Sequence, residues 1–130
     1  MVKAIQFHST GGPEVLQWEE VTVGNPGPGE IRVKHTAIGL NYIDTYHRTG
    51  LYPLPLPHGI GMEGAGHVTA IGNGVTDLAV GDRVAYAGPP PGSYAEERLM
   101  AASTAVKIPN SVDDETAAAM MLKGMTAQYL

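Results

Sequence analysis

The sequence predicts a mainly β protein with a few helices, built as a barrel or sandwich of short strands. Three observations carry that expectation. Glycine (17) and proline (10) together make about a fifth of the 130 residues, and they punctuate the chain rather than repeat. The runs between them alternate polar and apolar side chains, the period of a half-buried strand. After Pro109 the character changes to an alanine- and methionine-rich run that favours helix.

Val2 to Phe7 reads as a strand, Gly11-Gly12-Pro13 as a turn, and Val15 to Val23 as a second extended segment. Gly24 to Gly29 is a loop. Glu30 to Ile38 alternates cleanly and is the clearest strand. Asn41 to Arg48 fits a short helical turn ended by Gly50. Leu51 to Pro57 holds three prolines and is a non-helical loop. Glu63 to Ile71 reads as a strand that starts with small residues. Gly81 to Tyr86 is a turn feeding another strand, and Gly88 to Gly92 is a proline-rich loop. Ser93 to Met100 and Ala105 to Ile108 are further strand candidates.

Ser111 to Asp114 offers a capping box before a helix from Glu115 to Leu122. Gly124 is expected to interrupt it, with Thr126 to Leu130 opening another helix. A chain that stops in the first turn of a helix is expected to be the front part of a longer protein.

Composition narrows the function classes. A net charge of −5 gives no support to nucleic-acid or anionic-membrane binding. No apolar run approaches the roughly 20 residues of a membrane span. The alternating N-terminus lacks the core of a signal peptide, so a cytoplasmic location is the default expectation. With no cysteine, disulfides and thiolate metal ligands are excluded.

Gly59-x-Gly61-x-x-Gly64 matches the spacing of a dinucleotide-binding loop, with Asp82 about 20 residues on. The context is wrong for that role. The loop should follow a buried strand and open a helix whose N-terminal amides meet the pyrophosphate. Here it follows a proline-rich segment and precedes Val68, Thr69 and Ile71, a β-forming run. A tight turn and close packing at a strand start are expected instead.

The stretch from Gly59 to Val75 also resembles the signature of the medium-chain dehydrogenase/reductase family. Val2 to Phe7 with Gly11 to Leu16 resembles the opening of its ζ-crystallin-like quinone reductases. Ala37 to Pro53 resembles the most specific segment of that branch, and Leu122 to Leu130 its passage into the cofactor domain. The resemblance implies a GroES-like barrel over residues 1–110 and a helical passage over 111–130, leading toward a Rossmann domain that is absent here. It implies NADPH as cofactor, a small-molecule quinone as substrate, and a homodimer for the full-length protein.

Zinc members of the family are expected to carry a cysteine near position 41 and a histidine at position 62. This chain has Asn41 and Met62, poor ligands beside thiolate and imidazole. No metal is therefore expected. The histidines (His8, His35, His47, His58, His67) show no ligand spacing. His67 lies four residues from Glu63, but on a strand that spreads the pair over ~13 Å.

The resemblance makes Asn41, Tyr46 and Tyr52 the candidate catalytic residues. Asn41 is an amide able to donate and accept, and the tyrosines offer a hydroxyl to the cofactor or the quinone oxygen. Asn41, Tyr42, Ile43, Asp44, Thr45, Tyr46, Lys123, Thr126 and Tyr129 are the candidate cofactor contacts. The bland alternatives are local: Asn41 and Asp44 as helix caps, the tyrosines as half-buried packing, Lys123 as a solvated surface charge. Glu63, with no metal beside it, is expected to pair with an arginine or cap backbone amides and so hold the cleft in shape. Asp82-Arg83 reads as a turn and surface pair.

Hydride transfer to a quinone needs no metal, because the quinone already accepts electrons and the cofactor performs the hard step. The resemblance thus implies a zinc-free NADPH:quinone oxidoreductase. The alternatives are a zinc-free enoyl reductase of the same fold, or a non-enzymatic crystallin-like binding protein. Since such sites lie between two domains, the 130 residues alone are expected to be inactive.

Overall fold

The computed structural model describes residues 1–129; Leu130, placed above in a second helix, lies outside the described residues. The chain forms β1 (Val2–Phe7), β2 (Leu16–Val21), β3 (Glu30–Gly39), α1 (Ile43–Thr49), β4 (His58–Gly59), β5 (Glu63–Ile71), β6 (Arg83–Ala87), β7 (Glu97–Ala101), β8 (Val106–Lys107) and α2 (Asp114–Tyr129). This is the expected mainly β architecture with two helices among the described residues.

The strands form two antiparallel sheets, one of order β2-β1-β4 and one of order β7-β3-β5-β6-β8. The segment before β7 stitches them together. Ile5 N donates to Tyr94 O (2.8 Å), and Glu96 N donates to Lys3 O (2.9 Å). On the other side His35 N donates to Glu96 O (2.8 Å).

Strand alternation sets the core. On β3, Ile31 and Val33 point inward with no exposure and pack with Val68, Val84, Tyr86 and Met100. On β5, Ala65 and Val68 differ by an odd step and so face opposite sides. Val68 enters that core, while Ala65 meets Ala85, Ile108, Ala117 and Ala118. The small residues on both surfaces let α2 lie close across β3, β5 and β6.

The N-terminus of α2 is fixed twice. Asp113 Oδ1 accepts from Thr116 N (2.7 Å), so Asp113 caps the helix rather than the expected Ser111-to-Asp114 box. Arg83 donates through Nη2 to Asp114 Oδ1 (2.7 Å) and to Val112 O (2.8 Å). The Thr36 hydroxyl and then the Arg83 guanidinium hold the Asp114 carboxyl below its ordinary range. Arg83 is therefore a tether between β6 and α2, not half of a surface pair with Asp82.

Two further expectations are corrected. Gly124 does not interrupt the helix; α2 runs unbroken from Asp114 to Tyr129. A lone glycine costs about 1 kcal/mol relative to alanine, which the helix formers on either side of it offset. The two-residue β4, just past the Leu51-to-Pro57 loop, pairs with β1 where no strand was expected.

The glycine-rich run leads into strand β5, not a helix. Gly61 has φ +103°, and a Cβ there would collide with Ser93 Oγ and the Tyr94 ring. Its carbonyl accepts from Gly92 N (2.8 Å), Ile60 O from Tyr94 N (2.9 Å) and Met62 O from Gly88 N (2.8 Å). The run presents carbonyls to a neighbouring loop and forms no amide cradle for phosphate.

Candidate functional site

The end of β3, the start of β5 and the middle of α2 meet at one point. There Glu63, with no exposed surface, reaches past Gly39 toward α2. A Cβ on Gly39 would run into the Glu63 side chain and the Ala118 carbonyl, so only glycine leaves the passage open. Each carboxylate oxygen accepts a different donor: Oε1 from Asn41 Nδ2 (2.6 Å), Oε2 from the Leu122 amide (2.9 Å). Glu63 thus caps a backbone amide as expected, but its side-chain partner is an asparagine and not an arginine.

Asn41 carries the network outward. Its Oδ1 accepts from Lys123 Nζ (3.1 Å), which also donates to Leu40 O (3.2 Å) and stands 3.9 Å from Glu63 Oε1. Burial falls steeply along this line. Glu63 is fully buried, Asn41 is 7% exposed, and the Lys123 side chain is 63% exposed.

Asn41 and Lys123 open on a cleft of about 490 Å³, together with Tyr42, Ile43, Leu122, Thr126 and Ala127. The structure therefore brings together five of the residues picked from sequence: Asn41, Tyr42, Ile43, Lys123 and Thr126. A groove of similar size, about 510 Å³, runs past Trp18 and Ile38 and contains none of them. The first cleft is the stronger candidate because the buried Glu63–Asn41 pair and Lys123 open onto it.

The other picked residues sit beside this cleft. Tyr46 stacks edge-on between Tyr42 (5.4 Å) and Tyr52 (5.3 Å), making an aromatic row along α1. Tyr42 is the most exposed of the three, and Tyr52 is 48% exposed. Thr45 turns its hydroxyl back to Tyr42 O (2.7 Å). Tyr129 stands apart, almost wholly exposed near the end of α2.

Asp44 is buried behind the cleft. Its Oδ2 accepts from Asn41 N (3.1 Å) and from the Tyr94 hydroxyl (2.6 Å), which ties α1 to the segment before β7. Burial and then the Asp44 carboxylate push the Tyr94 hydroxyl above its ordinary pKa. Burial pulls His47 down, against the pull of Asp44.

A second polar cluster escaped the sequence reading. His35 Nε2 meets the Tyr86 hydroxyl (2.7 Å), and its Nδ1 meets Ala95 O (2.7 Å). Arg98 lies over the Tyr86 ring, 5.4 Å from its centroid. Burial lowers the His35 pKa to about 4; the Ala95 carbonyl opposes this and Arg98 adds to it. A signal was present: His35 shares the parity of Ile31 and Val33, the inward face of β3.

Among the described residues, no three of His, Cys, Asp and Glu stand together as a metal-holding group. Met62 is buried in the core. No described helix is long and apolar enough to cross a membrane.

This fold and cleft place the chain in a class. It belongs to the family of the alcohol dehydrogenase GroES-like domain, whose pattern matches residues 27–110. It is 56% identical over its whole length to a quinone oxidoreductase of Pseudomonas aeruginosa, of which it covers 40%. It is 50% identical over its whole length to a 2-haloacrylate reductase of a Burkholderia species, covering 41%. The crystal structure of Escherichia coli quinone oxidoreductase complexed with NADPH superposes with a TM-score of 0.95 at 48% identity. That match covers 98% of this chain and 39% of the other. The chain thus spans about 40% of the length of these relatives.

Proposed function

We propose that the chain is the N-terminal catalytic domain of a zinc-free, NADPH-dependent quinone reductase. The observation that carries this reading is the Glu63–Asn41–Lys123 network at the mouth of the cleft. The position where zinc relatives are expected to place a ligand holds an amide engaged by a carboxylate and an ammonium. The names of the relatives, and the NADPH in one of them, support the same reading.

The residues present fit one end of a dinucleotide. A cleft of about 490 Å³ falls within the 300–1,000 Å³ usual for small-molecule sites. Asn41, Tyr42, Ile43, Lys123 and Thr126 would hold the nicotinamide end. The glycine run from Gly59 to Gly66 does not suit the phosphates, since its carbonyls serve a neighbouring loop. When bound, NADPH supplies a hydride, which with one proton reduces a quinone to the hydroquinone.

The chain's own residues do the rest. Asn41 and Lys123 orient polar groups of the ligands, and holding reactants in a fixed orientation lowers the barrier. Lys123 brings a positive charge to the place where a reduced oxygen gathers negative charge. The row Tyr42, Tyr46 and Tyr52 gives a planar acceptor an aromatic wall and keeps water from one side. Tyr46 and Tyr52 remain the proposed hydroxyl donors. A cytoplasmic homodimer belongs to the same reading.

The test is NADPH oxidation with 1,4-benzoquinone by the full-length protein. Turnover is expected there, and none with residues 1–130 alone. Activity on simple alcohols without quinone turnover would overturn the reading. The Burkholderia relative favours a second reading, reduction of an activated C=C bond in an unsaturated acid, for which Lys123 would meet the carboxylate. A panel of quinones and 2-haloacrylates separates the two.

A further inference from the structure

We propose that Glu63 is a positioning residue that sets the polarity of the cleft. It holds the Asn41 amide nitrogen inward, so that a ligand meets an acceptor at Asn41 and a donor at Lys123. This deepens the reading above and rests on it.

An asparagine side chain can be turned either way with little change in shape, so its neighbours must decide which atom is which. Here both neighbours decide, and they agree. Both Glu63 oxygens already accept an N–H, one from Asn41 and one from the Leu122 amide. A carboxylate used in this way offers only acceptors, and the Lys123 ammonium offers only donors. With Asn41 as it stands, nitrogen faces carboxylate and oxygen faces ammonium. Turned over, oxygen would face carboxylate and nitrogen would face ammonium, two repulsive contacts in place of two charge-assisted hydrogen bonds.

The lock reaches the cleft because the network is graded. Glu63 is sealed behind Gly39, and Lys123 lies at the opening. Lys123 spends two of its three N–H groups on Leu40 O and Asn41 Oδ1, which leaves one for a ligand. Asn41 Oδ1 has a second lone pair. The cleft therefore suits a ligand that presents an N–H to Asn41 and a carbonyl or anionic oxygen to Lys123. A nicotinamide carboxamide carries the first group, and a quinone carries the second.

Glu63→Gln tests the lock because it changes donor count with little change in size. Glutamine has one acceptor oxygen. If that oxygen keeps the Leu122 amide, the glutamine nitrogen faces Asn41 and the Asn41 amide must turn over. Binding of NADP⁺ and of its 3-acetylpyridine analogue to the full-length protein is measured by calorimetry. The analogue keeps the carbonyl and lacks the N–H. Wild type is expected to bind NADP⁺ about 10-fold more tightly than the analogue, the value of one well-placed hydrogen bond. In Glu63→Gln the ratio is expected to fall below about 2-fold, and Glu63→Asp, which keeps both acceptors, is expected to restore part of it.

If wild type binds neither dinucleotide, the cofactor reading itself fails. If it binds both equally, that reading stands and the polarity inference falls. If Glu63→Gln weakens both equally and keeps the ratio, Glu63 only supports the fold and the inference falls. Should Glu63→Gln fail to fold, the ratios in wild type and Glu63→Asp decide: equal binding of the two dinucleotides by wild type, or a ratio lost entirely in Glu63→Asp, overturns the proposal.

Discussion

Glu63, at the start of β5, and His35, on the neighbouring β3, are both polar groups, and each lies against a glycine. Glu63 needs the gap at Gly39, and the His35 ring rests on Gly64. From there the two networks part. His35 ends on the Tyr86 hydroxyl and the Ala95 carbonyl, half-buried at the wall of the other groove. Glu63 passes through Asn41 to an exposed lysine beside a cleft. A polar network that closes on itself holds strands together, whereas one that is buried at its root and open at its tip holds a reactive group in place for something else.

The largest effect that tests this contrast is expected from Gly39→Val. Its side chain would displace Glu63 and press on Ala118, at a cost of about 3 kcal/mol from overpacking. Urea denaturation reads this directly, and a loss below about 1 kcal/mol would show that the passage is not needed.

The closed network makes stability depend on pH. His35 has a folded pKa of about 4, below its ordinary value of 6.5. Between those values the unfolded chain binds the proton and the folded chain does not. Its contribution is therefore complete above pH 6.5 and falls as pH drops toward 4, by on the order of 3 kcal/mol. His47 is shifted in the same direction by burial, so its contribution too is lost as pH falls below its ordinary value. His35→Gln should flatten the fall in denaturation midpoint over that window without abolishing it. An unchanged slope would mean that His35 is not the group responsible.

The smallest effects come from a matched pair. Tyr86→Phe removes the partner of His35 Nε2 and should cost about 1–2 kcal/mol, with NADP⁺ affinity unchanged. Lys123→Met should change stability by less than about 1 kcal/mol, since the lysine is exposed, yet lower kcat/KM with quinone about 10-fold. Reversed outcomes would exchange the roles assigned to the two networks.

Much of this architecture was legible in the sequence because it is local. The period-2 pattern located β3, and the span from Glu63 to Ile71 is the strand itself. The short helix after Asn41 and its end at Gly50 followed from local signals. What was not legible is what joins distant residues. Glu63 meets Asn41 across 22 positions and Leu122 across 59, and no local pattern encodes either contact. The same holds for Arg83, whose partner Asp114 lies 31 positions on. Gly124 does not act as a break because a single glycine costs less than the helix formers on either side of it supply. The orientation of the Asn41 amide was not legible either. An amide in isolation donates and accepts, and only its two charged neighbours tell which end faces the cleft.

The two attachments of α2 have a mechanical consequence. Arg83 holds the helix at Asp114, and Glu63 holds it again at the Leu122 amide, about 12 Å further along its axis. A rod pinned at two points can neither pivot nor slide, so the span between the pins moves only with the sheet. Beyond Leu122 the helix runs on through Thr126 and Tyr129. Lys123 lies one residue past the second pin and so shares the fixed position of the pinned span.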